Sequence, residues 1–249
     1  MRLSLRPTLL FFTAYALNTT AHELAHALMA YSLGIRSTLF HFYVNPEFTG
    51  PQAGERVLVA VAGPLFSLVF GLVCWLVYKK TRFESSKLSW LYLAILGISI
   101  FLGNLFSIPS GGDFGTAAVI LNVTPSVRLS ISIVSLGLIC VFLYSMGQEL
   151  VKWAPHGFSR TTAMVHMVVI PAVLGTGVVI LAFLPMPAQF IAGWIATSFF
   201  WLFSAGGAYV APKYATASGD LRTRPIEYVA AAAMLAVVRI LVAGVSLVP

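Results

Sequence analysis

The chain has 249 residues, of which 59% are hydrophobic and only 9% charged, and its mean hydropathy is +0.90. A soluble domain carries about 25% charged residues, so the composition excludes one and implies an all-α polytopic membrane protein. The formal net charge of +7 does not imply nucleic-acid binding, because the basic residues gather in short loops at the ends of apolar runs, where lysine and arginine set membrane topology.

Apolar runs of about 20 residues mark membrane-spanning helices. About six or seven are present, near 8–34, 56–78, 88–108, 127–148, 163–184, 187–210 and 225–248. The N-terminal "MRLSLRPTLLFFTAYAL" has the charge and apolarity of a signal peptide but no clean small-residue cleavage site. It continues into "NTTAHELAHALMAY" and is expected to be retained. Between the first two runs, "RSTLFHFYVNPEFTGPQAGER" mixes β-branched and aromatic residues closed by Asn45-Pro46 and Gly50-Pro51, which predicts a strand or short hairpin. Segment 37–45 offers either an edge for an extended peptide or a structural hairpin, and His41 within it reads as structural. After the third run, "GNLFSIPSGGDFGTAAVILNV" stays apolar but contains Pro109, Gly111, Gly112 and Asp113. This predicts a helix that breaks and restarts near 104–115, an arrangement tolerated at membrane depth only where protein or a water-filled cavity satisfies the backbone.

Cys74 and Cys140 lie inside apolar runs and read as buried free thiols. Gly175 and Gly177 read as helix-packing positions, His166 as structural or interfacial, and Arg239 as a side chain snorkelling from the end of the last run. No repeat and no stretch long enough for a separate soluble domain is visible. The chain divides into a core over 1–122, which holds every motif, and additional helices over 123–249.

An ionisable group at bilayer depth costs roughly 2.5–3.5 kcal/mol on insertion scales, yet the first run carries His22, Glu23 and His26. Residues four apart on a helix differ by about 40° in direction and about 6 Å along the axis, so the two histidines share one face and can hold one metal ion. Glu23 is rotated by about 100°, placed to address a metal-bound water without being a ligand. This is the physical content of HExxH, two ligands and a general base. The alternative, a polar patch for helix packing, requires three costly side chains in one span without a task.

Catalytic zinc usually takes three protein ligands. Met29 and Ser32 occupy the positions where a longer zinc motif continues, so the third ligand must come from elsewhere: His41, His156, His166, Glu47, Glu55 or Asp113. Asp113 fits best, because it follows two glycines that allow close backbone approach and stands in an apolar stretch where a lone carboxylate is costly. The other reading of Asp113 is an N-cap for the helix restarting at "FGTAAVIL".

HELAH in one span, "AGPLFSL" (62–68) in the next and "NLFSIPSGGDFG" (104–115) after it resemble the site-2 protease family of intramembrane zinc metalloproteases, over roughly residues 8–122. The resemblance implies one zinc ion held by His22, His26 and Asp113, with Glu23 as general base and a membrane-anchored protein as substrate. Asn104 and Pro109 match the Asn and Pro of the family's Asn–Pro–Asp-Gly pattern. Asn104 would then hydrogen-bond the oxyanion or the substrate backbone, or serve as a helix–helix contact. Gly63 and Pro64 match the family's Gly-Pro pair, a packing and pocket-shaping element. The chain departs from the pattern in that Phe114 separates Asp113 from Gly115, and the Asn-to-Asp spacing is about one residue long.

Two other functions share these residues: a non-proteolytic relative that binds membrane proteins, and a metal-binding transporter with its site at 104–113. An intact Glu23 speaks against the first and the lack of a repeat against the second. The expected location is the cytoplasmic membrane of a prokaryote. Seven spans put Arg2, Arg6, Lys79, Lys80, Arg82, Lys87, Lys152, Arg160, Lys213, Arg222 and Arg224 on one side, and Arg36, Arg56 and Arg128 on the other. The charge bias places the N-terminus in the cytoplasm, whereas the resembled family runs its HExxH helix towards the cytosol.

Overall fold

In the computed structural model, which describes residues 2–50, 52–155, 157–211 and 223–249, each apolar run becomes a helix. In chain order these are α1 (Arg2–Ser32), α2 (Ala53–Lys80), α3 (Glu84–Phe106), the short α4 (Gly112–Ile120), α5 (Pro125–Val151), α6 (Arg160–Met164), α7 (Ile170–Phe183), α8 (Ala188–Val210) and α9 (Pro225–Leu241). A single π turn over Val165–Val169 joins α6 to α7, so the chain is continuously helical over Arg160–Phe183. His156, Lys213 and Arg222 lie outside the described residues.

Among the described residues, four helices are long and apolar enough to cross a membrane: Ala53–Lys80, Ser86–Phe106, Pro125–Val151 and Arg160–Phe183. At 1.5 Å per residue the longest cover about 40 Å, more than the roughly 30 Å hydrocarbon core. Their outer faces are apolar and open, with Val69, Leu76, Ile133, Val141 and Leu181 all exposed. This is the surface of a membrane protein.

Helix α1 is different. It packs against α2, α3, α7 and α9, and its Phe11, Ala14, Ala16, Ala27 and Ala30 are buried. Protein covers one side of the HELAH stretch and buries His22 and His26, while Leu24, Leu28 and Tyr31 stay exposed on the other. Around it Tyr92, Leu143, Met167, Phe183 and Trp201 fill the main core. Gly175 sits where an added Cβ would lie 2.5 Å from the Phe11 ring, so it is a packing glycine; Gly177 faces open space and is not. Cys74 is buried, Cys140 is half-buried, and both are free.

The two ends of the bundle can be told apart by their polar contacts. At one end Arg6 Nε donates to Glu227 Oε1 at 2.7 Å in a buried pair. Glu227 also accepts from the Arg224 N–H at 3.0 Å, capping α9. Here His166 pairs through Nδ1 with the Ser4 hydroxyl, a structural role, while Tyr78 and Lys152 both donate to Glu149. At the other end His41 Nε2 donates to the Phe183 carbonyl at 2.7 Å. Arg239, exposed near the end of α9, donates from Nη1 to the Leu184 carbonyl at 2.6 Å, just past the end of α7.

The hairpin expected after the first run is present, and a third strand joins it: β1 (Ser37–Leu39), β2 (Val44–Pro46) and β3 (Val245–Leu247) form an antiparallel sheet in the order β2-β1-β3. Ser37 pairs with Pro46 on one side and with Leu247 on the other. The last apolar run, read as helical to 248, stops at Leu241 because Gly244 adopts a φ of 80°, a left-handed conformation that ends helices. The strand-prone Val245 and Leu247 then join the hairpin.

Candidate metal centre

The site begins with the helical period of α1, which stacks His22 and His26 on the face turned to α2. Both are buried, each with 5% of its surface exposed. The outer nitrogen of each ring is held by α2. His22 Nδ1 meets the Ser67 hydroxyl at 2.9 Å, and His26 Nδ1 meets the Val59 carbonyl at 2.6 Å. A carbonyl only accepts, so Nδ1 of His26 carries a proton and Nε2 is the nitrogen turned towards the cluster. Gly63 makes the approach possible: a Cβ there would lie 2.3 Å from His26 Nε2 and 2.8 Å from His22 Cδ2. Next to it Pro64 has no N–H, which leaves the Ala60 carbonyl without its helical partner, and Ala60 lines the adjoining cavity.

The third corner comes from the break after α3. The turn satisfies its own backbone: the Ser107 N–H donates to Gly103 O, and those of Ser110 and Gly111 to Ser107 O. Gly111 and Gly112 take φ values of 121° and 74°, which glycine adopts without penalty. Gly111 is the N-cap of α4 and Asp113 its second residue. The N-cap reading of Asp113 therefore gives way, and its carboxylate points at the histidines instead. Asp113 Oδ2 is 2.9 Å from His22 Nε2 and 3.5 Å from His26 Nε2; the two Nε2 atoms are 3.1 Å apart. The residue that departs from the family pattern, Phe114, packs edge-on against Phe101 of α3 at 5.8 Å.

Among the described residues these three are the group of His, Cys, Asp and Glu side chains able to hold a metal ion. Two corners of a tetrahedron with zinc–ligand bonds of 2.0–2.1 Å lie about 3.3 Å apart, and the observed separations bracket that value. Two imidazoles and a carboxylate are an ordinary zinc donor set, and both rings have the outer hydrogen-bond partners that fix a ligand's orientation. The residues fit zinc.

Glu23 is half-buried beside them and forms no hydrogen bond or ion pair with the described residues. It lines a cavity of about 1180 Å³ together with His22, His26, Asp113, Asn104 and Ser107. Asn104 spends one amide hydrogen on the Ile100 carbonyl of its own helix at 3.2 Å, leaving the other uncommitted. The hairpin supplies Phe42, Tyr43, Val44 and Pro46 to the same wall. Both edges of β1 are paired, so the open edges belong to β2 and β3 and not to 37–39, and of these two strands β2 lines the cavity.

The structure keeps the remaining described candidates out of the cluster. His41 and His166 are hydrogen-bonded elsewhere, Glu47 is exposed, and Glu55 stands in the first turn of α2. Sequence reasoning missed Ser67 and the Val59 carbonyl, although Ser67 lies four residues after Gly63 on the same face of α2, a spacing that signals a shared neighbour. It also missed the placement of Arg56 and Arg128 on the cavity wall. No family model, curated protein or solved structure matches this chain.

Proposed function

We propose that this protein is an intramembrane zinc endopeptidase that hydrolyses peptide bonds of membrane-anchored proteins. The observation that carries this reading is the convergence of His22 Nε2, His26 Nε2 and Asp113 Oδ2 at 2.9–3.5 Å, with an unpaired Glu23 on the same cavity wall. Zinc, when bound by these three residues, supplies Lewis-acid polarisation of a carbonyl and activation of water at neutral pH. Glu23 takes the proton of the attacking water on its carboxylate and returns it to the leaving amine. Ser67 and Val59 hold the two imidazoles in one orientation, so the ligand set needs no rearrangement. The free amide hydrogen of Asn104 is a donor for the oxyanion or the substrate backbone. A substrate helix hides its peptide bonds, so it must unwind to be cut, and the open edge of β2 offers an extended segment backbone partners.

We further propose a seven-span topology in a prokaryotic cytoplasmic membrane. Arg6, Lys79, Lys80, Lys87, Lys152 and Arg224 gather at the end of the bundle where α1 starts, and positive charge favours the cytoplasm. His22 and His26 precede the end of α1 by ten and six residues, about 9–15 Å along the helix. The site then lies nearer the outer face, the reverse of the resembled family's orientation.

The test is metal content of detergent-purified protein beside cleavage of a membrane-anchored reporter. About one zinc per chain is expected, lost in His26→Ala and Asp113→Ala but kept in Glu23→Gln, with cleavage falling at least 10²-fold in the last. Cleavage that survives Glu23→Gln would refute the assignment of the base. Zinc kept without Asp113 would refute the ligand set.

A further inference from the structure

Two guanidinium groups line the cavity that also contains Glu23 and Asp113. Arg128 stands on the first turn of α5, its N–H bonded to the Thr124 carbonyl at 3.1 Å. Its Nε is buried and donates to nothing among the described residues. A buried charged donor without an acceptor is costly, and the buried Arg6 is not left so, since it has Glu227. Arg56, on the first turn of α2, lies 4.8 Å over the Phe48 ring. That contact holds the guanidinium over the ring face while leaving its N–H donors without a hydrogen-bond acceptor among the described residues. The carboxylates of the cavity do not serve either arginine, because Asp113 faces the two histidines and Glu23 forms no ion pair.

We infer that Arg128, assisted by Arg56, is a carboxylate-binding subsite: the cavity takes a polypeptide carrying a Glu or Asp side chain near the peptide bond presented to Glu23. This rests on the proteolytic reading for the polypeptide and on the unpaired guanidiniums for the acid. A guanidinium offers a planar fork that matches a carboxylate with two parallel hydrogen bonds. In a cavity walled by Phe42, Phe48 and Val59 the pair is shielded from water, where such contacts are strongest. Arg56, nearer the surface, adds attraction that draws an acidic segment in and weakens with salt.

The experiment uses the full chain as Glu23→Gln, zinc-loaded in detergent, and fluorescent transmembrane peptides of about 20 apolar residues. Each peptide carries one Glu, or one Gln, at successive positions along its outer half. At one or two positions the Glu peptide is expected to bind about tenfold tighter than its Gln twin, a gap of about 1.4 kcal/mol. The gap should close in Arg128→Gln, return in part in Arg128→Lys, and shrink with salt when Arg56 is present. The ratio within one protein is the readout, so a general loss of affinity in a variant does not imitate the result. Equal binding of Glu and Gln peptides at every position overturns the subsite, and does so without touching the proteolytic reading if Glu23 enzyme still cuts them. Conversely, a Glu preference that depends on Arg128, in a chain that cuts no peptide, keeps the subsite and removes the proteolysis. A preference that survives Arg128→Gln would also overturn the assignment.

Discussion

Gly63→Ala separates the geometry of the cluster from the stability of the helix that supports it. In isolation the change strengthens α2, since alanine is favoured over glycine in a helix interior by about 1 kcal/mol. The new Cβ, however, would lie 2.3 Å from His26 Nε2, 2.7 Å from His26 Cε1 and 2.8 Å from His22 Cδ2. Ordinary contact begins near 3.4 Å, so the His26 ring must retreat by about 1 Å, and it cannot do so while its Nδ1 stays 2.6 Å from the Val59 carbonyl. The nitrogen displaced is the one assigned to the metal. A misplacement of this size at a reacting centre costs about 10²-fold, and disturbing the bonds that orient a ligand costs about 10–100-fold in metal affinity. Zinc affinity measured by chelator competition should fall by that factor, while the thermal midpoint of the metal-free protein falls only modestly, because the helix gain of about 1 kcal/mol offsets part of the about 1–3 kcal/mol lost with the His26–Val59 hydrogen bond. An alanine variant with unchanged zinc affinity would refute the close approach of the rings to α2 and, with it, the argument that this glycine shapes the site.

Other substitutions test neighbouring claims. His41→Phe should keep its zinc and lose about 1–3 kcal/mol of stability, because the buried Phe183 carbonyl loses its donor; zinc loss there would restore His41 as a ligand. Arg6→Leu strands Glu227 in a site where both partners are at most 7% exposed. It should cost about 3–5 kcal/mol, whereas Arg6→Leu with Glu227→Leu should recover most of that. Thermal unfolding in detergent decides it, and a single variant as stable as the double would show that the pair is not shielded from water.

The site was legible in the sequence where one helix or one local break determined it. The spacing of His22 and His26 fixes their common face through the helical period alone, and Asp113 drew attention as a carboxylate after two glycines in an apolar stretch. What escaped needed the register between separate elements. Ser67 and Val59 became ring partners only once α2 crossed α1 at Gly63. Arg6 and Glu227 are 221 residues apart, and each reads alone as a terminal charge. Arg128 likewise counted as a loop charge until α5 placed it on the cavity wall. Val245–Leu247 belongs to an apolar run that continues α9 by composition, and only the turn at Gly244 and the pairing with β1 make it a strand. Composition gives no sign of the glycine contact between α5 and α8 either, where an added Cβ on Gly147 would meet the Ser204 carbonyl.

That late strand gives the molecule a clock. The three side chains of the cluster have all been synthesised once residue 113 has been added, but β3 pairs with β1 across about 200 residues of sequence, the kind of contact that is closed last. At synthesis rates of about 5–20 residues per second, roughly 7–26 s separate Asp113 from Val245. During that interval the hairpin on the cavity wall has only its own two three-residue strands to hold it, and isolated hairpins are marginal. A growing chain therefore owns its ligand set well before it owns a fastened cavity, and an interrupted chain never acquires one.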